Sequence, residues 1–355
     1  MLAAVAPRTI PSGLLLSPRF DQLFTTGLLL VALALGGLAW AVPAALVPVL
    51  LGNLWLFAYP HVGATYTRLA LDRASIREHR FVLFVLPLLV VAATAGVARW
   101  FGIAALTTVY FGWQTYHYTK QSYGVARAYR RARGAPSEGR DRSTDAVVFA
   151  FPLWGLLHRM SQGPSQFYWN PIRLPWVPGS VATAAGVVAA AAIISFVLRT
   201  WREGRSLFAP EGRFVLSHVL VTVVSYVAIP EITSGWLFIN IWHNAQYLLF
   251  VYAWSARRYR SGIDPARPVI SWVAQPSRGL FYGLLCFAVG GGGYFLLGEA
   301  TARLAVASAL PLALIAYHAV NFHHYLADAV LWRSPPPRRI SAAAAESEIA
   351  GTVGG

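Results

Sequence analysis

Apolar residues form a series of long runs along the chain, and short polar or basic segments separate each run from the next. Most runs are about 20 residues long, which is the length of α-helix that crosses the roughly 30 Å hydrocarbon core of a bilayer. The pattern therefore predicts an all-α, polytopic membrane protein with about ten transmembrane helices. They are predicted at 22–41, 44–67, 81–100, 103–126, 144–160, 180–199, 214–231, 235–256, 279–298 and 301–332.

The composition supports this class of protein. Of the 355 residues, 56% are hydrophobic and only 12% are charged, and the mean hydropathy is +0.51. We expect a single transmembrane helical domain over 1–333 and a disordered cytoplasmic tail over 334–355, because the tail has no apolar period. The single cysteine, Cys286, excludes an intrachain disulfide, a four-cysteine iron–sulfur site and a CxxCH motif for covalent haem.

The basic residues lie almost entirely in alternate loops. With the N-terminus inside, the 29 Lys and Arg residues fall on the cytoplasmic side, except for Arg99, Arg159, Arg173 and Arg303. The positive-inside rule therefore predicts that both termini are cytoplasmic. This distribution explains the net charge of +15 by contact with anionic lipid headgroups, and it argues against a nucleic-acid partner. We expect an integral protein of a bacterial inner (plasma) membrane, with the lipid bilayer as its partner.

Polar residues interrupt the last apolar run, between Tyr317 and Arg333. At about 100° per residue, Tyr317, Asn321, His324 and Asp328 fall within about 60° of one another on a helix. Ionisable side chains at membrane depth are energetically costly and usually mark a functional site. This polar stripe is therefore the first candidate for chemistry in the chain.

Three other predicted helices that run in the same direction also carry a histidine. His61, His117, His243 and His324 each precede a basic residue at the cytoplasmic end of their helix. At about 1.5 Å per residue, they lie roughly 10 to 20 Å from that end. Four helices are therefore predicted to bring one histidine each to a similar depth, which indicates a shared metal or cofactor site.

Residues near these four candidate ligands are candidates for three further roles: reserve ligand, orienting partner and catalytic residue. His218 and His318 are reserve ligands, because they can reach a similar level. Polar side chains within about one turn of a ligand can orient a metal-bound imidazole, and the candidates for this role are Gln121, Asn240, Gln246, Tyr247 and Asn321. Lys120 and Asp328 are the candidate catalytic residues, with the lysine placing a positive charge near a reacting oxygen.

Two short motifs and one residue pair resemble the bacterial Brp/Blh carotene-cleaving membrane oxygenases. The motifs are PHVGATY at Pro60 to Tyr66 and WHNAQY at Trp242 to Tyr247, and the pair is Tyr116-His117. The resemblance implies a non-haem iron held by histidines from several helices and an O2-dependent cleavage of a carotenoid.

The chain departs from that family at two positions, since Tyr66 and Tyr247 stand where its pattern leads us to expect further histidines. The run HAVNFHH at 318–324 is similar to the histidine boxes of membrane desaturases and hydroxylases, but the chain has only one such box. Both resemblances point to oxidative chemistry on an apolar molecule.

The leading hypothesis is a histidine-ligated, metal-dependent membrane oxygenase or hydroxylase that acts on a lipid or isoprenoid. Neutral imidazole suits iron, zinc and copper, and we expect non-haem iron, with zinc or copper as alternatives. Three other hypotheses stay open. One is a proton-coupled transporter, another is a haem b protein with His117 and His243 as axial ligands, and the third is a scaffold whose polar stripes join helices.

Overall fold

The computed structural model describes residues 13–135, 141–305 and 310–332. The predicted cytoplasmic tail at 334–355 lies outside these residues. The described helices are α1 Pro18–Ala41, α2 Pro43–Ala70, α3 Arg73–Glu78, α4 Phe81–Ala132, α5 Arg142–Gln162, α6 Gly179–Arg202, α7 Pro210–Ala228, α8 Ile232–Arg258, α9 Pro268–Val273, α10 Gly279–Ala305 and α11 Leu312–Leu331. A short hairpin pairs Gln166–Phe167 with Asn170–Pro171 in antiparallel register, between α5 and α6.

The predicted class, an all-α membrane protein, is confirmed. Within the described residues, six helices are long and apolar enough to cross a bilayer, namely α1, α2, α4, α6, α7 and α10. Helices α8 and α11 fall outside this set, although they are also long, and both are rich in buried polar residues. In α8, every side chain from Ile232 to Tyr247 is buried, so this helix is enclosed by its neighbours on all sides.

A glycine divides α4 into two segments. Gly102 has φ 82° and ψ 172°, a backbone conformation that is open to glycine and strained for other residues. The chain therefore changes direction between the segments 81–101 and 103–132, where the sequence predicts the end of one helix and the start of the next. The second segment carries His117.

Helices α2 and α10 are in close contact through two glycines. A Cβ atom added at Gly63 would overlap the carbonyl oxygen of Cys286, and one added at Gly290 would overlap the carbonyl oxygen of Tyr59. Small residues allow membrane helices to approach in this way. A π-helical turn at Leu54–Ala58 immediately precedes this contact and changes the register of the helix before His61. Together these features set the position of His61.

Buried ion pairs join the cytoplasmic ends predicted for α4 to α7. The carboxylate of Asp141 pairs with Arg199 and Arg133 and accepts a hydrogen bond from the backbone N–H of Thr144 at the start of α5. Burial acts to raise the pKa of Asp141, but the hydrogen bonds from Thr144 and Ser143 and the charge of Arg199 hold it below its usual range. This network fixes the ends of the helices that surround α8.

Candidate metal centre

Side chains from three helices converge in the interior of the bundle. His61 on α2, His117 on α4, and His324 and Asp328 on α11 each offer a donor atom, and these atoms all lie within 4.8 Å of one another. All four residues are buried. Imidazole nitrogens and a carboxylate oxygen form a donor set that suits a transition-metal ion.

His243 on α8 lies beside this group. The centroid of its ring is 4.8 Å from that of His61 and 5.1 Å from that of His117. It does not belong to the four residues whose donor atoms converge. The structure therefore brings all four predicted histidine ligands together as rings, and adds Asp328 to three of them as a possible fourth ligand.

A threonine connects His324 to Asp328. The hydroxyl of Thr65 lies 2.9 Å from Nδ1 of His324 and donates a hydrogen bond of 2.8 Å to Oδ1 of Asp328. Because its only proton goes to the carboxylate, the hydroxyl must accept the proton of Nδ1. Nε2 of His324 is then the unprotonated nitrogen and has its lone pair free to bind a metal.

Asp328 has one oxygen occupied and one directed at the histidines. Its Oδ1 accepts hydrogen bonds from Thr65 and from the hydroxyl of Tyr247, the latter at 2.5 Å. Its Oδ2 lies 3.9 Å from Nε2 of His324. A carboxylate held through one oxygen can offer the other to a metal, as is usual for ligating carboxylates.

Two imidazole nitrogens face each other in this group. Nε2 of His61 lies 2.7 Å from Nε2 of His324, which is a hydrogen-bond distance, and because Nε2 of His324 is unprotonated, Nε2 of His61 carries the proton when no ion is bound. Nδ1 of His61 and Nε2 of His117 are buried and have no hydrogen-bond partner among the described residues. Buried polar atoms are nearly always satisfied, and leaving one unpaired costs about 1–3 kcal/mol. These nitrogens therefore fit a site that binds an ion.

Tyrosine rings hold the orientation of three histidines. Tyr247 stacks on His61 with centroids 4.2 Å apart, and Tyr325 stacks on His117 at 4.3 Å. Tyr118 lies 4.0 Å from His243. In each of these pairs the tyrosine comes from a different helix from the histidine, so the ring orientations depend on how the helices pack.

A buried arginine lies just beyond Asp328 in the direction of the predicted cytoplasmic face. The guanidinium of Arg68 lies between two indole rings, 4.6 Å from the centroid of Trp254 and 4.2 Å from that of Trp332. Cation–π contacts of this kind stabilise a buried guanidinium without neutralising it.

A small cavity adjoins the histidines on the side away from Asp328. It is lined by His61, His243, His324, Ala58, Val62, Tyr110, Gln114, Tyr118, Asn240, Asn244, Tyr317, Asn321 and Tyr325. The space available to the centres of water-sized molecules is about 20 Å³, which is enough for one or two waters. Phenol and amide groups dominate its wall, so the cavity is polar.

Of the five residues predicted to orient the histidine ligands, three lie at the site or line the cavity, and two do neither. Tyr247 lies at the site, and Asn240, which donates a hydrogen bond to the hydroxyl of Tyr118, lines the cavity together with Asn321. Gln121 donates to the backbone carbonyl of His243 at 3.2 Å. Gln246 is buried, and neither of its amide atoms has a partner within the described part of the chain.

Three predicted site residues are not brought to the centre. His218 hydrogen-bonds to the carbonyl of Val148 through Nε2, and His318 bonds to the carbonyl of Leu314 in its own helix through Nδ1. Helical rotation directs both away from the converging donors. Lys120 is exposed, with Nζ 4.8 Å from the centroid of the Tyr123 ring. The expected catalytic role of Lys120 is therefore corrected, because its charge lies on the outside of the bundle.

Residues that sequence reasoning overlooked complete the site. Thr65 was visible as a neighbour of His61 one turn away, but its contact with His324 depends on how α2 packs against α11. Tyr118 and Tyr325 directly follow His117 and His324 in the sequence, and their rings contact histidines of other helices. The sequence shows that a tyrosine follows each of these two histidines, but it does not show which histidine each tyrosine ring contacts.

Comparison with known proteins gives no relative for this chain. No protein-family model matches it, no curated protein matches it at a significant level, and no solved structure has a significantly similar fold.

Proposed function

We propose that the protein is a metal-dependent membrane oxidoreductase, an oxygenase or hydroxylase that acts on a lipid or isoprenoid. The observation that carries this proposal is the convergence of His61, His117, His324 and Asp328, whose donor atoms lie within 4.8 Å of one another inside an apolar bundle. Ionisable residues buried at membrane depth mark functional sites. The cavity beside the histidines leaves room for an exogenous ligand, as a catalytic metal site requires and a structural one does not.

Non-haem iron is the proposed ion. Histidine nitrogens together with one carboxylate are the ligands that non-haem iron(II) oxygenases use, and those enzymes keep open positions for other ligands. The donor set also suits zinc and copper, which are the alternative outcomes of a metal analysis. Asp328 enters this proposal as a ligand through Oδ2, where the sequence suggested a catalytic role.

We further propose that ten helical segments cross the inner membrane of a bacterium, with both termini in the cytoplasm. The two segments of α4 count separately, and α5, α8 and α11 join the six apolar helices. The support is the placement of the basic residues, which follow the positive-inside rule in alternate loops. In this topology the metal centre lies nearer the cytoplasmic leaflet, and an apolar substrate reaches it from the bilayer.

The haem alternative meets a steric difficulty. The rings of His117 and His243 are 5.1 Å apart between centroids and nearly perpendicular, at 74°, and both are within the same group of imidazoles. The adjoining cavity of about 20 Å³ has no room for a porphyrin. The geometry therefore favours a single ion over a haem held between these two residues.

Metal analysis of the protein purified in detergent tests the proposal. We expect about one equivalent of iron, zinc or copper in the wild type and less than about a tenth of an equivalent in His117→Ala. His218→Ala is the matched control, since it removes another buried histidine from the same bundle, and it should retain the metal. Wild-type protein without metal after reconstitution with Fe(II), or an equal metal content in all three proteins, would refute the proposal.

A further inference from the structure

The cavity beside the histidines has a defined position relative to the proposed ligands. His61, His243 and His324 contribute to its wall, whereas Asp328, Thr65 and Tyr247 lie on the opposite side of the imidazoles. An ion between the donor atoms would therefore have protein on the Asp328 side and free space on the cavity side. This is the side on which an exogenous ligand can approach.

The size and polarity of the cavity restrict that ligand. A space of about 20 Å³ for the centres of water-sized molecules admits a molecule of two or three heavy atoms and excludes an isoprenoid chain. The wall is formed mainly by tyrosine hydroxyls and side-chain amides, so the ligand must be one that hydrogen-bonds. The apolar substrate of the proposed reaction therefore occupies a different place.

One hydroxyl in the wall lacks a partner. Tyr325 is 95% buried, since its exposed fraction is 5%, and its hydroxyl faces the side chains of Tyr110 and Gln114 without forming a hydrogen bond of normal geometry to any described residue. The side chains beside it are already engaged. Gln114 donates to the hydroxyl of Tyr110 at 2.9 Å and accepts from Nε1 of Trp236 at 2.9 Å. The proton of Tyr325 is thus available to a molecule in the cavity.

The ring of Tyr325 is also fixed beside the proposed ion. It stacks on the ring of His117, with centroids 4.3 Å apart, and lies 5.6 Å from the ring of His324. Because this ring packs against two proposed ligands and Tyr325 also lines the cavity, the residue lies beside any molecule bound on the cavity side of the ion. A buried donor without a partner costs about 1–3 kcal/mol, and a ligand that accepts its hydrogen bond removes that cost.

We propose that this cavity binds a small hydrogen-bond-accepting ligand of the metal, of the size of dioxygen or azide, and that Tyr325 donates a hydrogen bond to it. This inference rests on the proposed metal centre. Tyr325 binds and orients the small ligand through its hydroxyl, while its ring positions His117. The lipid or isoprenoid does not enter this space.

Azide binding to the iron-loaded protein tests the inference. Azide is added to wild type and to Tyr325→Phe, and its affinity is read from the optical spectrum and its antisymmetric stretch from the infrared spectrum. We expect azide to bind about tenfold or more weakly to the variant, and the stretch to shift on transfer to D2O only in the wild type. Phenylalanine keeps the ring that stacks on His117, so both proteins should hold the same amount of iron.

Tyr282→Phe is the matched control. Tyr282 is also buried and its hydroxyl likewise has no hydrogen bond of normal geometry to the described residues, but it lies on α10 and does not line the cavity. Its variant should bind azide like the wild type. Equal azide affinity in all three iron-loaded proteins, no azide binding by iron-loaded wild type, or a loss of iron from Tyr325→Phe would overturn the inference. Failure of the wild type to load metal would instead refute the metal centre, and the metal analysis detects this separately.

Discussion

A buried arginine and a buried group of histidines lie in this bundle, and they differ in how many of their polar atoms form hydrogen bonds. Arg159 on α5 donates hydrogen bonds to the backbone carbonyls of Ser225, Ile229 and Pro230 and to the side chain of Gln162, at 2.6–2.7 Å. Those carbonyls lie at the C-terminal end of α7, where a helix leaves its last carbonyls without partners. Arg159 therefore serves as a cap for that helix.

The histidine group presents the opposite case. Nδ1 of His61 and Nε2 of His117 have no hydrogen-bond partner in the described residues, and Nε2 of His61 has only the facing Nε2 of His324. Its surroundings are nevertheless well ordered, since Thr65 and Tyr247 hold Asp328. A buried charge with full hydrogen bonding supports the fold, whereas ring nitrogens without partners in an ordered group are what the proposed metal centre requires. Each prediction below tests one side of this contrast.

The largest effect is expected at Arg159. Arg159→Met leaves the carbonyls of Ser225, Ile229 and Pro230 without their donor. Each buried acceptor left unpaired costs about 1–3 kcal/mol, so the three together should cost at least about 3 kcal/mol. Unfolding of the purified variant in detergent, followed by circular dichroism, measures the loss. The fraction that remains folded should bind as much metal as the wild type, because the arginine makes no contact with the histidines.

Arg99→Met is the control for that experiment. Arg99 is an exposed arginine on the same predicted side of the membrane, and its replacement should change the free energy of unfolding by less than about 0.5 kcal/mol. If both arginine variants are equally stable, Arg159 does not cap α7. If Arg159→Met is folded but does not bind metal, Arg159 also affects metal binding by the histidines. The two buried groups then do not have separate roles.

Removal of the metal should have the next largest effect. A ligand that binds only the folded protein, at about a hundred times its dissociation constant, stabilises that protein by about 2.7 kcal/mol. Chelation should therefore lower the melting temperature of the wild type by several degrees, and added Fe(II) should restore it. His324→Ala should show neither change, because it lacks the nitrogen that faces His61. A chelation effect of equal size in this variant would place the metal elsewhere.

Widening the contact between α2 and α10 should have a smaller effect on stability. It should also affect the metal site, because it shifts the backbone of α2. Gly290→Ala forces the two helices apart, because its Cβ atom would overlap the carbonyl oxygen of Tyr59. Overpacking of this kind costs about 1–3 kcal/mol, and the shift of α2 should also weaken metal binding through His61. Isothermal titration with Fe(II) and thermal unfolding measure the two consequences.

Gly292→Ala supplies the comparison, because an added Cβ atom there meets open space. This variant should keep the stability and the metal affinity of the wild type. Equal behaviour of the two glycine variants would show that the close approach of α2 to α10 does not position His61. It would also show that Gly63 and Gly290 are not needed for the close approach of the two helices.

The sequence predicted that the four histidines share one site, but not which of their atoms converge. Hydropathy defined the class of fold, and the alternating basic loops predicted that four helices run in the same direction. In the structure the rings of His61, His117, His243 and His324 lie close together. Rotation about each helix axis was not predictable, because a period of about 3.6 residues leaves several faces open until the neighbours are known. For this reason His218, His318 and Lys120 point elsewhere, and Asp328 approaches the donor atoms more closely than His243 does.

The smallest predicted effect concerns the hydrogen bonds behind the proposed ligands. Thr65→Val keeps the shape of the side chain but removes the hydroxyl that orients His324 and holds Asp328. Loss of such a partner typically lowers metal affinity by 10- to 100-fold, or about 1.4–2.7 kcal/mol. Titration with Fe(II) should show this loss, with the stoichiometry unchanged.

Thr67→Val is the control, since Thr67 is also buried in α2 but donates to the carbonyl of Ala64 in its own helix. If Thr67→Val weakens binding as much as Thr65→Val, the effect comes from α2 as a whole, and the buried hydroxyl of Thr65 belongs with Arg159 among the groups that support only the fold.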